Sequence, residues 1–338
     1  MPTIARKLFK PEFKFGLGGV PLGNEFAKHT DEDAQETLEA AWKMGVRYYD
    51  VAPWYGLGLS ERRFGRFLHG QPRGDYLLSS KVGKLLKAST SNHHKAMFPL
   101  SDSPNDLVID YTADGVRRSI DDSLQRLGVS HLDVVYVHDL SPDFAWFPDG
   151  WEEQYKIARK GAFPALSKLR DEGVIKAWGV GVNTPMAILK VIEDADPDVC
   201  LCARQYSLVE HANALHEVFP AVRAKKVSLV IGSSLNAGFI SGSPRYNYGK
   251  DNFRIPAAAI EKLARLRVVA ARHGVDLRTA ALQFSAAASE AVALVVGAGS
   301  ARQIQQDWNS MQAKIPADFW SELRQEKLIE ADAPTPKP

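Results

Sequence analysis

The chain has 338 residues, of which 45% are apolar and 24% are charged, and its formal net charge is +2. This composition is typical of a globular domain with a large core and needs no covalent cross-links for stability. So small a net charge disfavours nucleic acid as a partner, while the length permits either two domains or one large barrel.

The start of the chain and its hydropathy bear on location. Residues 1–10 lack the apolar segment of a signal peptide, and no apolar run approaches the ~20 residues of a membrane span. Cys200 and Cys202 lie two apart in a strand-like run, a spacing poorly suited to a disulfide, so we predict that they are packing residues. We therefore expect a cytoplasmic protein with no membrane partner and a small-molecule ligand.

Strand-like runs alternate with amphipathic helical segments along the chain. Several runs, such as 132–137, are nearly all apolar, which is typical of parallel strands buried on both faces. We predict eight strands: Phe15–Gly18, Val46–Val51, Tyr76–Val82, Leu132–Val137, Ala177–Val182, Val199–Tyr206, Val227–Gly232 and Ala291–Val296.

Three helices stand out between the strands, and each is followed by a glycine. They are predicted over Asp31–Met44, Thr112–Leu127 and Phe163–Glu172. The alternation predicts an α/β fold, a (β/α)8 TIM barrel that forms a single domain over residues 1–338. A doubly wound sheet is the alternative, but neither 56–61 nor 179–184 has the third glycine of a dinucleotide-binding turn.

Two long segments, 83–110 and 139–161, follow strand ends on the face where barrels build their sites. The second carries Trp146 and Phe147, which we predict as substrate contacts, although covering the barrel edge is the competing interpretation. The first carries His93 and His94, but adjacent histidines on a polar loop are weak evidence, and we predict no metal site.

Four residues suited to proton transfer lie at or just past the carboxyl ends of strands, which converge at one mouth of a barrel: Asp50, Tyr55, Lys81 and His138. In type, order and strand context they resemble the tetrad of the aldo-keto reductases. The resemblance implies that Tyr55 transfers the proton, that Asp50 fixes Lys81, and that His138 orients the substrate oxygen. A free tyrosine has a pKa of ~10, and a nearby ammonium group favours the phenolate.

The segments 17–24 and 50–63, which include Pro53-Trp54-Tyr55-Gly56, look more narrowly like the aldose 1-dehydrogenase branch of this family. That resemblance implies oxidation of a cyclic hemiacetal, as in an L-fucose-like sugar, to a lactone. Pyridoxal presents an equivalent hemiacetal, so a pyridoxal 4-dehydrogenase remains an alternative. Trp54 is predicted as a substrate wall, because an aromatic face suits both ligands.

The resemblance also implies a nicotinamide cofactor and the residues that bind it. Gly19, Val20 and Asp50 would lie near the nicotinamide ribose, Asn183 and Gln205 at the carboxamide, Ser233, Ser234, Leu235 and Gly238 along the pyrophosphate, and Gly297, Gly299, Gln303, Gln306 and Asp307 at the adenosine.

NADP-selective relatives usually carry cations near positions 297 and 303, because a 2′-phosphate requires them. Here those positions are Gly297 and Gln303, which favours NAD, whereas the adjacent Arg302 keeps NADP as the alternative.

Other functions remain open at this stage. They are a broad NADPH-linked carbonyl reductase and, outside the enzymes, a cofactor-binding regulatory subunit. For assembly, we expect a monomer or a weak homo-oligomer.

Overall fold

The structure is a computed structural model that describes residues 8–91, 96, 98–247 and 255–337. Within these residues the strands are β1 (Phe15–Gly18), β2 (Tyr48–Asp50), β3 (Leu77–Val82), β4 (Lys84–Ala88), β5 (Asn105–Ile109), β6 (Val134–His138), β7 (Ala177–Val182), β8 (Val199–Ala203), β9 (Ser228–Gly232) and β10 (Ala291–Gly297).

Eight of these strands form a closed barrel in the order β1-β10-β9-β8-β7-β6-β3-β2, and each neighbouring pair is parallel. The fold is therefore the predicted (β/α)8 TIM barrel, and the doubly wound alternative is excluded. All eight predicted strands are present, with boundaries that differ by up to three residues.

Helices surround the barrel. Those in the described residues are α1 (Asp31–Lys43), α2 (Leu59–Leu68), α3 (Ala113–Leu127), α4 (Trp151–Lys160), α5 (Ala162–Asp171), α6 (Pro185–Asp194), α7 (Phe219–Lys225), α8 (Ala257–Arg272), α9 (Leu277–Ala287), α10 (Ala301–Gln312) and α11 (Ala317–Gln325). Short helical turns cover Pro21–Gly23, Arg73–Asp75 and Ala214–Val218.

Local chemistry explains where the predicted helices start and stop. The Thr30 hydroxyl accepts a hydrogen bond from the Asp33 amide and the Asp33 carboxylate accepts one from the Thr30 amide, which closes a capping box before α1. Thr112 caps α3, which ends at Gly128 in the left-handed conformation. All three predicted helices are found within one residue at each end.

The core has two parts. Side chains that point outwards from the strands pack against the helices, and a smaller cluster that includes Tyr48, Tyr136 and Val230 fills the barrel interior. Phe9 and Phe13 pack against this inner cluster. The barrel is therefore a packed core, and a cleft opens at the carboxyl ends of its strands.

The segment 83–110 contains secondary structure that the sequence pattern did not reveal. Strands β4 and β5 pair antiparallel, from Lys84 opposite Ile109 to Ala88 opposite Asn105. Their residues are mostly half-buried or exposed and lack a clean alternation, which explains why periodicity missed them. The segment 139–161 likewise ends in helix α4.

Cys200 and Cys202 on β8 are both fully buried, as predicted for packing residues. His93 and His94 lie outside the described residues. No helix in the described ranges is long and apolar enough to cross a bilayer.

Candidate active site

A cleft of about 1050 Å³ opens at the carboxyl ends of the barrel strands. This space includes the open mouth of the cleft. The cleft is lined by all four residues of the predicted tetrad: Asp50, Tyr55, Lys81 and His138.

The charged pair of the tetrad is buried and fully bonded. The Lys81 ammonium donates to Asp50 Oδ2 at 2.7 Å and to the Val51 carbonyl at 2.8 Å. Asp50 Oδ1 accepts a hydrogen bond from the Ser79 hydroxyl at 2.6 Å. Because β2 and β3 are neighbours in register, Asp50 at the end of β2 lies within reach of Lys81 on β3.

Tyr55 lies between the lysine and the histidine. The Lys81 Nζ atom is 4.7 Å from the centroid of the Tyr55 ring. The Tyr55 and His138 rings meet edge to face, with centroids 5.6 Å apart. A phenol, an ammonium group and an imidazole therefore share one wall of the cleft.

His138 is held neutral by its surroundings. Burial, with smaller contributions from the Lys84 and Lys81 ammonium groups, keeps the pKa of His138 well below its usual 6.5. Its Nδ1 atom is buried and has no hydrogen-bond partner among the described residues, and its Nε2 atom lies 3.6 Å from Asp139 Oδ2. A neutral imidazole beside the cleft can donate one hydrogen bond to an oxygen of a ligand.

The turn that carries Tyr55 depends on a close backbone approach. Gly56 has a φ of 62°, and a Cβ atom there would lie 2.2 Å from the Gly23 carbonyl oxygen. Only glycine tolerates both the left-handed conformation and this contact without strain. Gly56 therefore lets the Tyr55 turn pack directly on the loop that follows β1.

The residues after this turn anchor the neighbouring loop. The Ser60 hydroxyl donates to the Gly19 carbonyl at 2.8 Å, and Arg63 donates to the Leu22 carbonyl at 2.8 Å and to Asn24 Oδ1 at 2.9 Å. Glu61 is buried and bonded to Ser80 and Arg126. The motif 60–63 thus fastens helix α2 to the loop after β1 and to strand β3.

Seven of the predicted cofactor residues line the cleft besides Asp50: Val20, Asn183, Ser233, Ser234, Leu235, Gly238 and Gly297. The Ser234 hydroxyl is buried with no hydrogen-bond partner in the part of the chain that the structure describes, so the wall offers a donor that a phosphate oxygen could satisfy. The residues present therefore fit a nicotinamide dinucleotide.

The other predicted cofactor residues are not among those that line the cleft. Gly19 is buried and donates to the Asp50 carbonyl at 2.8 Å, and Gln205 donates to the Asn183 carbonyl at 2.6 Å. These two residues thus support neighbours that line the cleft. Gly299 donates its amide to Gln303 Oε1 at 2.7 Å at the start of α10.

Gln306 and Asp307 on α10 contact a residue that the sequence analysis did not single out, Arg278 on α9. Arg278 donates to Gln306 Oε1, and its Nε atom is 3.9 Å from Asp307 Oδ1. Burial raises the pKa of Asp307 to about 7, against the opposing charge of Arg278.

The predicted substrate contacts divide into two groups. Trp54 and His138 line the cleft. Trp146 and Phe147 do not: the Trp146 side chain is 47% exposed, and Phe147 packs edge to face on Phe144 and Tyr111. These two aromatics lie against the loop rather than on the cleft wall.

Sequence reasoning overlooked Glu25, Phe26 and Asp139, which also line the cleft. Asp139 directly follows His138 at the end of β6, so its position at a strand terminus was an available signal. Glu25 follows no strand directly, and its location depends on how the loop after β1 folds back.

Comparisons with known proteins agree with the fold and with the type of site. The model of the aldo/keto reductase family matches residues 14–327. The chain therefore belongs to the aldo/keto reductase family, and it is an NAD(P)-dependent oxidoreductase.

Two relatives refine this placement. The chain is 35% identical over 334 residues to a D-threo-aldose 1-dehydrogenase from Pseudomonas sp, covering 95% of this chain and 94% of that protein. It is also 35% identical over 331 residues to a pyridoxal 4-dehydrogenase from Microbacterium luteolum, covering 93% of this chain and 94% of that protein.

The solved structure of an aldo-keto reductase from Bacillus halodurans in its holo form has the same fold. It superposes with a TM-score of 0.70 at 22% identity and covers 97% of this chain and 98% of its own.

Proposed function

We propose that the protein is an NAD-dependent aldose 1-dehydrogenase that oxidises the hemiacetal carbon of an L-fucose-like sugar to a lactone. The observation that carries the proposal is the buried Lys81–Asp50 pair beside Tyr55, with the neutral His138 on the same cleft wall. This arrangement suits proton removal from a hydroxyl group.

In this mechanism Tyr55 is the general base. The Lys81 ammonium lies 4.7 Å from the Tyr55 ring centroid, and a cation at that distance favours the phenolate. Asp50 and the Val51 carbonyl hold Lys81 in place. His138, being neutral, donates to the substrate oxygen and orients the hydroxyl towards Tyr55.

The electron balance follows from hemiacetal chemistry. Tyr55 takes the proton of the hydroxyl on the anomeric carbon, and the electron pair of that O–H bond becomes the second bond of the new carbonyl. A nicotinamide held by cleft residues such as Asn183 and Ser234 would supply the acceptor for the hydride that leaves the same carbon. The ring oxygen stays attached, so the product is a lactone.

The preference for NAD over NADP is supported by the start of helix α10. Gln303 at this position is uncharged, and its side chain is already bonded to the Gly299 amide. Arg302 is exposed in the same turn. Without a cation at position 303, a 2′-phosphate would lack a bidentate partner there.

Pyridoxal is a second candidate substrate because one 35% identical relative acts on it. The same base and the same neutral imidazole would oxidise its internal hemiacetal. Trp54 on the cleft wall would accept a pyridine ring as readily as the apolar face of a sugar.

The test is the initial rate of NADH formation with L-fucose, D-arabinose, L-galactose and pyridoxal, with NAD and then with NADP. Turnover of a sugar with NAD supports the proposal and defines its stereochemistry. Turnover of pyridoxal alone would replace it with the second candidate. No turnover of any of the four would refute both, and an NADPH-linked carbonyl reductase would then be tested.

A further inference from the structure

Three charged residues that the proposed mechanism does not use meet next to Tyr55 and His138. They are Glu25 from the loop after β1, Lys84 from β4 and Asp139 from the end of β6. Glu25 and Asp139 line the cleft, and Lys84 lies behind its wall, 1% exposed.

Lys84 fixes the position of Asp139. Its ammonium donates to Asp139 Oδ2 at 2.5 Å and lies 4.3 Å from the Trp54 ring centroid and 3.7 Å from that of Phe144. Burial lowers the pKa of Lys84 to about 8, and the Asp139 carboxylate opposes that decrease. The ammonium is thus enclosed by one carboxylate and two aromatic faces, so Asp139 has little freedom to move.

Glu25 is presented to the same cleft by an anchored loop. Arg63 is buried and bonds to Leu22, Asn24 and His29 on either side of Glu25. Burial and the nearby Asp139 carboxylate raise the pKa of Glu25 to about 7, while Lys84 opposes the increase. Near neutrality, Glu25 can therefore donate or accept a hydrogen bond, whereas Asp139 accepts.

This pair of carboxyl groups matches neighbouring hydroxyl groups, each of which both donates and accepts. The cleft also offers the Trp54 ring and the buried His138, whose Nδ1 atom has no hydrogen-bond partner within the described ranges. With Glu25 ionised, the three charges sum to one negative charge, which disfavours a phosphorylated or carboxylated sugar.

We propose that Glu25 and Asp139, braced by Lys84, form a subsite that binds the ring hydroxyl groups of a neutral aldose and so determines substrate specificity. This inference rests on the proposed aldose oxidation. Glu25 and Asp139 are then the groups that distinguish a polyhydroxylated ring from a pyridine ring.

The test compares the variant Glu25→Ala with the wild type on an oxidised aldose, on deoxy analogues that each lack one ring hydroxyl, and on pyridoxal. Glu25 is half-buried at the cleft wall, so its truncation is compatible with folding. Glu36→Ala on the exposed side of α1 is the matched control and should behave as the wild type.

For the wild type we expect kcat/KM to fall about tenfold or more when the hydroxyl that meets Glu25 is missing, as for loss of a hydrogen bond to a charged group. For Glu25→Ala, kcat/KM on the parent sugar should fall by a similar factor, mainly through a higher KM. On the analogue that lacks this hydroxyl, the substitution should cause little further decrease in kcat/KM. Such coupling between variant and substrate is the signature of a direct contact.

Asp139→Asn is a second test of the subsite, because it keeps the shape of the side chain while removing its charge. It should raise KM for the parent aldose and reduce the discrimination against a uronate of the same ring. Its fold is checked by circular dichroism, because it leaves Lys84 buried without an ionised partner.

The outcomes distinguish a failure of the proposed subsite from a failure of the proposed function. If the wild type oxidises an aldose but Glu25→Ala lowers kcat/KM equally for every analogue, the subsite is refuted and the proposed function stands. If the wild type oxidises only pyridoxal, both are refuted. Coupling confined to one or two hydroxyl positions supports both.

Discussion

At the scale of single residues, the main feature is a buried ion pair that costs desolvation energy. Asp50 and Lys81 are 3% and 2% exposed, and removing two charges from water is expensive even when they are paired. The cost is reduced because Ser79 and the Val51 carbonyl complete their hydrogen bonds. Apolar residues at these two positions would stabilise the barrel equally well, so the ion pair is best explained by its effect on Tyr55.

Tyr55→Phe tests that effect. The variant keeps the ring against His138 but removes the hydroxyl, so we expect kcat to fall about 10³-fold, as for loss of a general base. NADH binding, followed by fluorescence, should be nearly unchanged. Tyr49→Phe is the control, since it removes a hydroxyl that bonds the Val46 carbonyl on the outer face of the barrel. Substantial turnover by Tyr55→Phe would refute the assignment of the base.

Gln303→Arg tests the cofactor preference. A guanidinium group at this position would give a 2′-phosphate a charge-assisted partner, so the ratio of kcat/KM for NADP to that for NAD should rise about tenfold or more. Gln305→Arg, which adds the same charge on the exposed side of α10, should leave the ratio near the wild-type value. An unchanged ratio in Gln303→Arg would mean that the adenosine end binds elsewhere.

At the scale of elements, strands β7 and β8 approach each other too closely to admit a side chain at one position of β7. Gly179 on β7 faces the adjoining strand, and a Cβ atom there would lie 1.7 Å from the Val199 carbonyl oxygen. The obstacle is backbone within the closed sheet, which cannot move aside without breaking neighbouring pairs. Gly179 therefore sets the spacing between β7 and the start of β8.

Gly179→Ala should consequently destabilise the protein by about 3 kcal/mol or more, as expected for severe overpacking in a core. Gly181→Ala on the same strand is the matched comparison, because its Cβ atom would meet Tyr136 at an ordinary 3.5 Å. Thermal unfolding should show a much larger decrease in Tm for Gly179→Ala. Equal decreases for the two variants would contradict this account of strand spacing.

At the scale of the whole molecule, the two ends of the barrel have different tasks. At the amino ends of the strands, Asp133 is fully buried and binds Arg73, Lys176 and the Leu78 amide, which ties the base of the barrel together. At the carboxyl ends, charged groups face the cleft and several have perturbed pKa values. The stability of the protein should therefore depend on pH through the cleft end as well as through ordinary acid denaturation.

Asp307 on α10 is a buried carboxyl group outside the cleft whose pKa is also raised, and Asp307→Asn tests its contribution to the pH dependence. The folded-state pKa of Asp307 is about 7, above its usual 3.8, so the folded state binds the proton more tightly. The associated stability is present below pH ~4 and is lost as the pH rises through 7. The uncharged asparagine avoids this loss, so Tm of the cofactor-free protein should exceed that of the wild type by about 2–5 °C at pH 8, with little difference near pH 4.

The control for this experiment is Asp318→Asn on the exposed first turn of α11, for which no pH-dependent difference is expected. A Tm difference between Asp307→Asn and the wild type that is the same at pH 4 and pH 8 would contradict the raised pKa.

The sequence by itself determined the barrel and much of the candidate site. Nearly continuous apolar runs and capped helices are local signals, so the eight strands and the helices 31–43, 113–127 and 162–171 were predicted with small boundary errors. Asp50, Tyr55, Lys81 and His138 were predicted from their resemblance to the aldo-keto reductase tetrad and from their positions at strand ends, which a parallel barrel brings together. All four line one cleft.

The tertiary structure decided what local patterns cannot encode. The hairpin β4–β5 has no alternation of burial, and it is this hairpin that places Lys84 behind Asp139. Glu25 reaches the cleft through a loop folded by Arg63, a residue 38 positions further along the chain. Trp146 and Phe147 looked like substrate contacts but lie off the cleft wall. Loop placement and the burial of charges depend on contacts between distant segments, so only the folded chain could reveal them.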